Sequence, residues 1–144
     1  MHQLSKVQVT NAAQVAFGKK LGLDLEGTSV GVARAEIDDV LAAGFYGESE
    51  LGRPSPKQCA LAEKFGFDIS GMSKGVGSAV IDDIMHQLNM EAIEKHRLAP
   101  GVAVRHPGRP YDRNLVISSV APDGTVYFKG GNGQRAWARS LERA

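Results

Sequence analysis

The sequence predicts an α+β protein in which two similar helical modules precede a small antiparallel β domain. Two observations lead to this prediction. Residues 14–39 and 58–83, called here the first and second repeat, align without a gap and are identical at 13 of 26 positions, which indicates an internal duplication. Beyond residue 98 the hydrophobic period changes from that of a helix to two residues, which is the period of a strand.

Each repeat is predicted to form a helix, an extended connector and a second helix. In the second repeat, Ser55 and Pro56 are typical of a helix start. Gly66 is suited to end that helix in the left-handed conformation. Ser73 and its counterpart Ser29 are candidate N-caps of the second helices.

The second helices are expected to differ in length between the repeats. In the first repeat the helix is expected to end near Gly44, where a glycine-rich linker begins. In the second repeat an apolar residue recurs every four positions. That helix either continues to Leu98, a length of about 35 Å, or breaks near Asn89.

The C-terminal segment predicts four short strands. Strand-like patterns occur in G-V-A-V-R-H, N-L-V-I-S-S-V, T-V-Y-F-K-G and Q-R-A-W-A-R-S-L, with turns at A-P-D-G and G-N-G. So few short strands cannot bury two sheet faces, and we expect them to curl into a small barrel. The predicted domains are residues 1–52 (helical module 1 with its linker), 53–98 (helical module 2) and 99–144 (barrel).

Charge is distributed unevenly along the chain. Residues 1–96 hold nine lysines and arginines against thirteen acidic residues, and residues 97–144 hold eight against three. The net charges are therefore −4 and +5. A cationic domain is a candidate for binding a polyanion, although an excess of this size also occurs in domains without such a partner.

The composition and the N-terminus favour a cytoplasmic protein. The sequence contains no apolar run of the ~18–20 residues needed to span a bilayer, and M-H-Q-L-S-K-V-Q-V-T lacks the apolar core of a signal peptide. A single cysteine, Cys59, excludes an internal disulfide and suits a reducing compartment. We expect a cytoplasmic protein without a membrane partner, associated with the nucleoid if it binds DNA.

The second helix of each repeat begins with glycine, at Gly31 and Gly75, which costs helix stability. One explanation is contact with a phosphate backbone, because a helix start presents free N–H groups. The other is close packing between helices. Packing is favoured for Gly31, because Val30 stands where the second repeat has Lys74. Both explanations stay open for Ser73, Lys74 and Gly75.

Paired aspartates follow in both second helices, as Asp38-Asp39 and Asp82-Asp83. Adjacent helix residues point about 100° apart, so neither pair forms a catalytic couple. We expect one aspartate of each pair to reach a lysine of its own module, such as Lys20 or Lys64, and the other to be solvated.

No pattern predicts an enzyme. The histidines, which are His2, His86, His96 and His106, show no metal-ligand spacing with Cys59 or a carboxylate. G-x-S-x-G occurs at residues 27–31 and 71–75 but lacks the preceding strand of a nucleophile elbow. We expect no catalytic residue, no metal and no cofactor.

Each repeat combines a helix, an extended connector and a second helix with the pattern G-x-S-x-x-x-x-x-A-x-I-D. This combination resembles the SAP and helix-extension-helix family of small DNA-binding modules, as found in phages and other mobile elements. The resemblance covers residues 10–42 and 54–88. It implies that the connector and the start of the second helix contact the DNA backbone and minor groove. The corresponding residues here are Lys57, Ser73, Lys74 and Gly75.

Residues 100–142 resemble an SH3-like barrel of the KOW or Tudor type in strand spacing and turn placement. Many such barrels bind nucleic acid or protein tails. The cations cluster in two groups: Arg105, His106, Arg109 and Arg113 around the first loop, and Lys129, Arg135 and Arg139 on the later strands. The loop R-H-P-G-R-P-Y-D-R is the first candidate for phosphate contact.

Alternation places Arg135, Trp137 and Arg139 on one predicted strand face. Two interpretations of Trp137 are open. It supplies a surface on which bases stack, together with Tyr111 and Tyr127, or it fills the core of the barrel with one tyrosine.

These observations predict a non-enzymatic nucleic-acid-binding protein, with double-stranded DNA favoured over RNA. Binding would be mainly to the backbone and therefore sensitive to salt. The alternative is an adaptor or inhibitor encoded by a phage or mobile element, whose acidic helical half binds a basic protein.

Overall fold

A computed structural model describes residues 4–46, 51–107, 114–130 and 134–144. These residues form four α-helices and a five-stranded antiparallel sheet, which confirms the α+β class. The helices are α1 (Ala12–Lys20), α2 (Val30–Tyr46), α3 (Pro56–Lys64) and α4 (Lys74–His96), and the strands are β1 (Ala103–Arg105), β2 (Leu115–Val120), β3 (Thr125–Phe128), β4 (Arg135–Trp137) and β5 (Glu142–Arg143).

The chain divides into two compact units. We call Met1–Ile84 the helical unit and Met85–Ala144 the sheet unit. The division falls within α4, so the last part of this helix belongs to the same unit as the strands.

The first helix of each repeat begins and ends by local chemistry. Ser55 and Gln58 form a capping box at the start of α3, with Pro56 as the first helical residue, as predicted. Gly22 and Gly66 have φ angles of 81° and 87° after α1 and α3. Each follows a helix that closes with the paired hydrogen bonds of a Schellman motif.

The connectors supply the core of the helical unit. Leu25 and Ile69 occupy equivalent positions in the two repeats and are 0% and 1% exposed. Asp68, beside Ile69, faces solvent and accepts a hydrogen bond from the Ser70 backbone N–H at 3.0 Å. Apolar and polar side chains therefore alternate in this connector, with the apolar side chain turned inward.

The open question about α4 is resolved in favour of a continuous helix, which ends at His96, two residues before Leu98. Helix α4 runs for 23 residues without a break, and Asn89 lies inside it. Helix α2 ends at Tyr46, two residues beyond the predicted end at Gly44.

The sheet has the strand order β4-β3-β2-β1-β5. Its core contains Val104, Ile117 and Val126, which are fully buried, together with Phe128. Leu98 packs into the same cluster from the chain that follows α4. The strands therefore have a single apolar side, as expected for a small antiparallel sheet.

The end of the chain differs from the prediction. Q-R-A-W-A-R-S-L does not form one strand, because β4 stops at Trp137 and a 3-10 helix follows at Ala138–Ser140 before β5. The A-P-D-G turn is confirmed: the Gly124 N–H donates to the Ala121 carbonyl at 3.0 Å. The G-N-G turn lies outside the described residues.

Two glycines at the start of α4 should respond oppositely to alanine. A Cβ at Gly77 would lie 2.8 Å from Pro54 Cγ, whereas at Gly75 its nearest neighbour is Asp39 Oδ1 at 3.7 Å. We expect Gly77→Ala to lower the free energy of unfolding by about 1–2 kcal/mol. Gly75→Ala should leave it unchanged or raise it by up to about 1 kcal/mol.

Urea denaturation followed by the helical circular dichroism signal measures both changes. Equal losses of stability in the two variants would contradict the conclusion that Gly77, and not Gly75, is packed too closely to accept a Cβ.

Candidate nucleic-acid interface

The face of β3 and β4 that points away from the core carries Thr125, Tyr127, Arg135 and Trp137, and we call it the outer face. Thr125 lies directly opposite Trp137, and Tyr127 lies opposite Arg135. Directly opposed residues of antiparallel strands place their side chains on one side of the sheet. The residues between them, Val126 and Ala136, face the core.

Trp137 is exposed on this outer face. Its relative accessible area is 44%, whereas the neighbouring Ala138 is fully buried. Of the two interpretations left open by the sequence, the core position is therefore wrong. The small residues on either side of Trp137 point inward, and the large ring is left in solvent.

Arg139 packs against Trp137 although it is not on the strand. It lies in the 3-10 helix, so the predicted shared strand face with Arg135 does not extend to this residue. Its guanidinium carbon is nevertheless 5.0 Å from the centroid of the Trp137 ring, within the range of a cation–π interaction. Partial burial lowers the pKa of Arg139 from its ordinary value.

Asn89 holds Arg139 in this position. Its Oδ1 accepts hydrogen bonds from the Arg139 backbone N–H at 3.1 Å and from Arg139 Nη1 at 3.3 Å. Asn89 is 2% exposed, and Gly124 packs so closely that a Cβ there would lie 2.5 Å from Asn89 Cβ. Sequence reasoning missed this role, and the only signal was a polar residue within the apolar pattern of α4.

The remaining predicted cations of the sheet unit differ in availability. Arg105 forms an ion pair with Glu142, which offsets its charge. Arg135 and Lys129 are exposed, and within the described residues neither is paired with a carboxylate. His106 is half-buried, and its Nδ1 has no hydrogen-bond partner among the residues that the structure describes. Arg109, Tyr111 and Arg113 lie outside the described residues.

The start of α4 is occupied by a carboxylate from the other repeat. Ser73 Oγ accepts the Val76 backbone N–H at 3.1 Å and donates to Asp39 Oδ2. The other oxygen of Asp39 lies 3.7 Å from the Cβ position of Gly75. A negative charge is favourable at a helix N-terminus, and here the protein supplies that charge itself.

The same arrangement occurs with the repeats exchanged. Ser29 Oγ accepts the Val32 backbone N–H at 3.1 Å and donates to Asp83 Oδ2. One Asp83 oxygen lies 3.6 Å from the Cβ position of Gly31. We expected one aspartate of each pair to be solvated, and Asp38 and Asp82 are exposed. The carboxylates of Asp39 and Asp83 bind the cap serine of the opposite repeat, a partner that the sequence did not indicate.

This exchange gives Ser73 a structural role and places the Asp39 carboxylate beside Gly75. Ser73 is 9% exposed, and its hydroxyl already has two partners. A phosphate at this helix start would have to displace the Asp39 carboxylate. Lys57 and Lys74 are exposed and stay candidates for nucleic-acid contact.

Comparison with protein-family models, with curated proteins and with solved structures finds no match for this chain.

Two features are absent from the described residues, a membrane-spanning helix and a metal site. No helix there is both long enough and apolar enough to cross a membrane. The same residues contain no group of three histidine, cysteine, aspartate or glutamate side chains arranged to hold a metal ion.

Replacing Asp39 by asparagine should destabilise the helical unit. The change removes the negative charge from the start of α4 and weakens the bond from Ser73, and we expect a loss of about 1 kcal/mol. Part of the loss is offset, because burial and then the charge of Asp39 raise the pKa of Glu36. The exposed neighbour offers the control Asp38→Asn, which should change stability by less than about 0.5 kcal/mol.

Chemical denaturation of both variants at neutral pH provides the measurement. A loss in Asp38→Asn as large as that in Asp39→Asn would contradict a specific role for the exchanged carboxylate.

Replacing Asn89 by leucine should loosen Arg139 and destabilise the sheet unit. The Arg139 backbone N–H would lose its acceptor, at a cost of about 1–3 kcal/mol. Unfolding can be followed by the fluorescence of Trp137, because the chain contains a single tryptophan. The control Lys95→Gln, at an exposed position of the same helix, should leave the midpoint of unfolding unchanged. An unchanged midpoint in Asn89→Leu would exclude a stabilising role for the bonds from Arg139 to Asn89.

Proposed function

We propose that the protein is a non-enzymatic nucleic-acid-binding protein and that the outer face of β3 and β4 carries the interface. The observation that supports this most directly is the exposed Trp137, held against Arg139 and beside Tyr127 and Arg135. Aromatic rings and guanidinium groups on one sheet face are the usual means of binding bases and phosphates together.

The charge of the sheet unit supports the same proposal. Residues 85–144 hold nine lysines and arginines against five acidic residues. Arg135 and Lys129 are not paired with a carboxylate among the described residues, so both can meet phosphates without first breaking an ion pair. Contacts of this kind release counterions from the nucleic acid and make affinity depend on salt.

The proposed architecture combines two helical modules of the SAP and helix-extension-helix type with an SH3-like barrel. The strand order β4-β3-β2-β1-β5, with a 3-10 helix before the last strand, supports an SH3-like barrel. The exchanged bonds of Ser29 with Asp83 and of Ser73 with Asp39 support two copies of one helical module. In this proposal the helical modules serve mainly to pair with each other, and Lys57 and Lys74 provide secondary contacts.

A salt titration of DNA binding tests the function. Fluorescence anisotropy of labelled single-stranded and double-stranded oligonucleotides gives the affinity of the full chain. An interface with about three phosphate contacts loses roughly 40-fold in affinity between 50 and 200 mM salt. The proposal would be overturned if neither the single-stranded nor the double-stranded oligonucleotide bound at the lower salt concentration.

Charge reversals locate the interface. Arg135→Glu and Lys129→Glu should each weaken binding about tenfold and reduce the salt slope by about 1. Lys95→Glu is the matched control, because it changes the net charge of the sheet unit equally at an exposed site on α4. Equal weakening by all three would indicate attraction by net charge alone, and strong weakening only by Lys57→Glu or Lys74→Glu would move the interface to the helical unit.

A second candidate function is binding of a basic protein by the helical unit. It is favoured by exposed apolar side chains, Val9, Phe17 and Leu41, on a unit that is acidic overall. If neither nucleic acid binds, a pull-down on the full chain with Phe17→Ser and Leu41→Ser as comparison variants tests this function. If both variants captured the same protein as strongly as the parent does, Phe17 and Leu41 would be excluded from its binding surface.

A further inference from the structure

We infer that the outer face binds unpaired nucleotides by stacking a base on Trp137, so that its ligand is single-stranded nucleic acid rather than the duplex expected from the resemblance of the helical modules. This inference rests on the proposed function and narrows it to one class of ligand.

The exposure of the Trp137 ring is the first step. Trp137 has a relative accessible area of 44%, so part of its apolar surface is in water and a ligand that covered this surface would gain hydrophobic free energy. Among the described residues, the buried core of the sheet unit does not include Trp137. Trp137 is therefore available for a ligand at no cost to the fold.

The geometry of nucleic acid decides which partner suits this ring. In a duplex the faces of the bases are stacked on one another, and a side chain on a sheet surface meets only the backbone and the groove edges. Unpaired bases present both faces and stack on aromatic side chains. Such stacking contributes about 1–3 kcal/mol per base in single-stranded complexes.

The neighbours of Trp137 match an extended strand. Tyr127 is the diagonal neighbour of Trp137 on the outer face, because it pairs with Arg135 two residues away. Diagonal neighbours are roughly 7–8 Å apart, so a second ring follows the first along the sheet. Arg135 lies directly opposite Tyr127 and two residues before Trp137. It is exposed and is placed to meet the phosphates of the nucleic-acid strand whose bases stack on these rings.

The Trp137 ring is also held in place before any ligand binds. Arg139 packs on it at 5.0 Å, and Asn89 fixes Arg139 through two hydrogen bonds. A ring whose orientation is set in advance loses little conformational entropy on binding. The arrangement thus favours stacking on the side of the ring that Arg139 does not cover.

Fluorescence of the single tryptophan provides a direct test. The full chain is titrated with an oligothymidine of about ten nucleotides and separately with a blunt duplex of the same length, within the usual site size of single-strand binders. We expect saturable quenching of Trp137 by the single strand, with at least tenfold tighter binding than the duplex. The duplex should leave the emission almost unchanged.

Substitutions distinguish stacking from simple contact. In anisotropy measurements with labelled oligothymidine, Trp137→Leu should weaken binding by about 5- to 150-fold, the equivalent of one stacked base, whereas Trp137→Phe should retain much of the affinity. Val116→Ala, at another exposed apolar position of the sheet, is the matched control and should bind as the parent does. Circular dichroism of each variant establishes that the fold is intact.

The outcomes separate this inference from the proposed function. Binding of the duplex as tightly as the single strand, with unchanged tryptophan emission, would overturn the inference while leaving nucleic-acid binding in place. Equal affinity of Trp137→Leu and the parent for oligothymidine would overturn it in the same way. Failure of both nucleic acids to bind would overturn the proposed function together with it.

Discussion

The helical unit depends on one interaction, which is the bond between the cap serine of each repeat and an aspartate of the other. Each serine hydroxyl has two uses, since it accepts a backbone N–H of its own helix and donates to the carboxylate opposite. Each carboxylate also places a negative charge at the positive end of the partner helix. Capping and pairing of the repeats are thus the same contact, and losing one partner weakens both.

The sheet unit follows a different rule, in which alternation along β3 and β4 places aliphatic side chains in the core and Tyr127, Arg135 and Trp137 on the outer face. Around Trp137 the chain alternates between alanine and large residues. Ala136 and Ala138 face the core and belong to the same cluster as Val126 and Phe128. The large polar and aromatic residues are left on the outer face. An interface with a fixed ring therefore arises from the same alternation that forms the core.

Local signals in the sequence were sufficient for most of the fold. The caps at Ser55 and Ser73, the helix end at Gly66 and the turn before Gly124 each depend on residues within about five positions, and all are present in the structure. Local signals do not decide whether the helix continues through Asn89, because a lone asparagine neither breaks nor supports a helix strongly.

The features that sequence reasoning missed depend on contacts between distant segments. Asp39 and Asp83 have lysines nearby in the chain, and only the way the repeats pack reveals serine as the partner. The link from Asn89 to Arg139 spans 50 residues, so no local pattern could indicate it. The exposure of Trp137 was undecided for a related reason, because alternation defines two faces but does not say which one is the core.

The exchanged bonds have a consequence for the way the helical unit is held together. They join residues 34 and 54 positions apart, and each repeat contributes one hydroxyl and one carboxylate to a self-complementary contact. A contact of this form is isologous, the kind by which identical subunits pair about a two-fold axis. A peptide carrying one repeat could form both bonds with a second copy of itself, at a cost that depends on concentration, whereas the covalent tether in this chain makes the pairing independent of protein concentration.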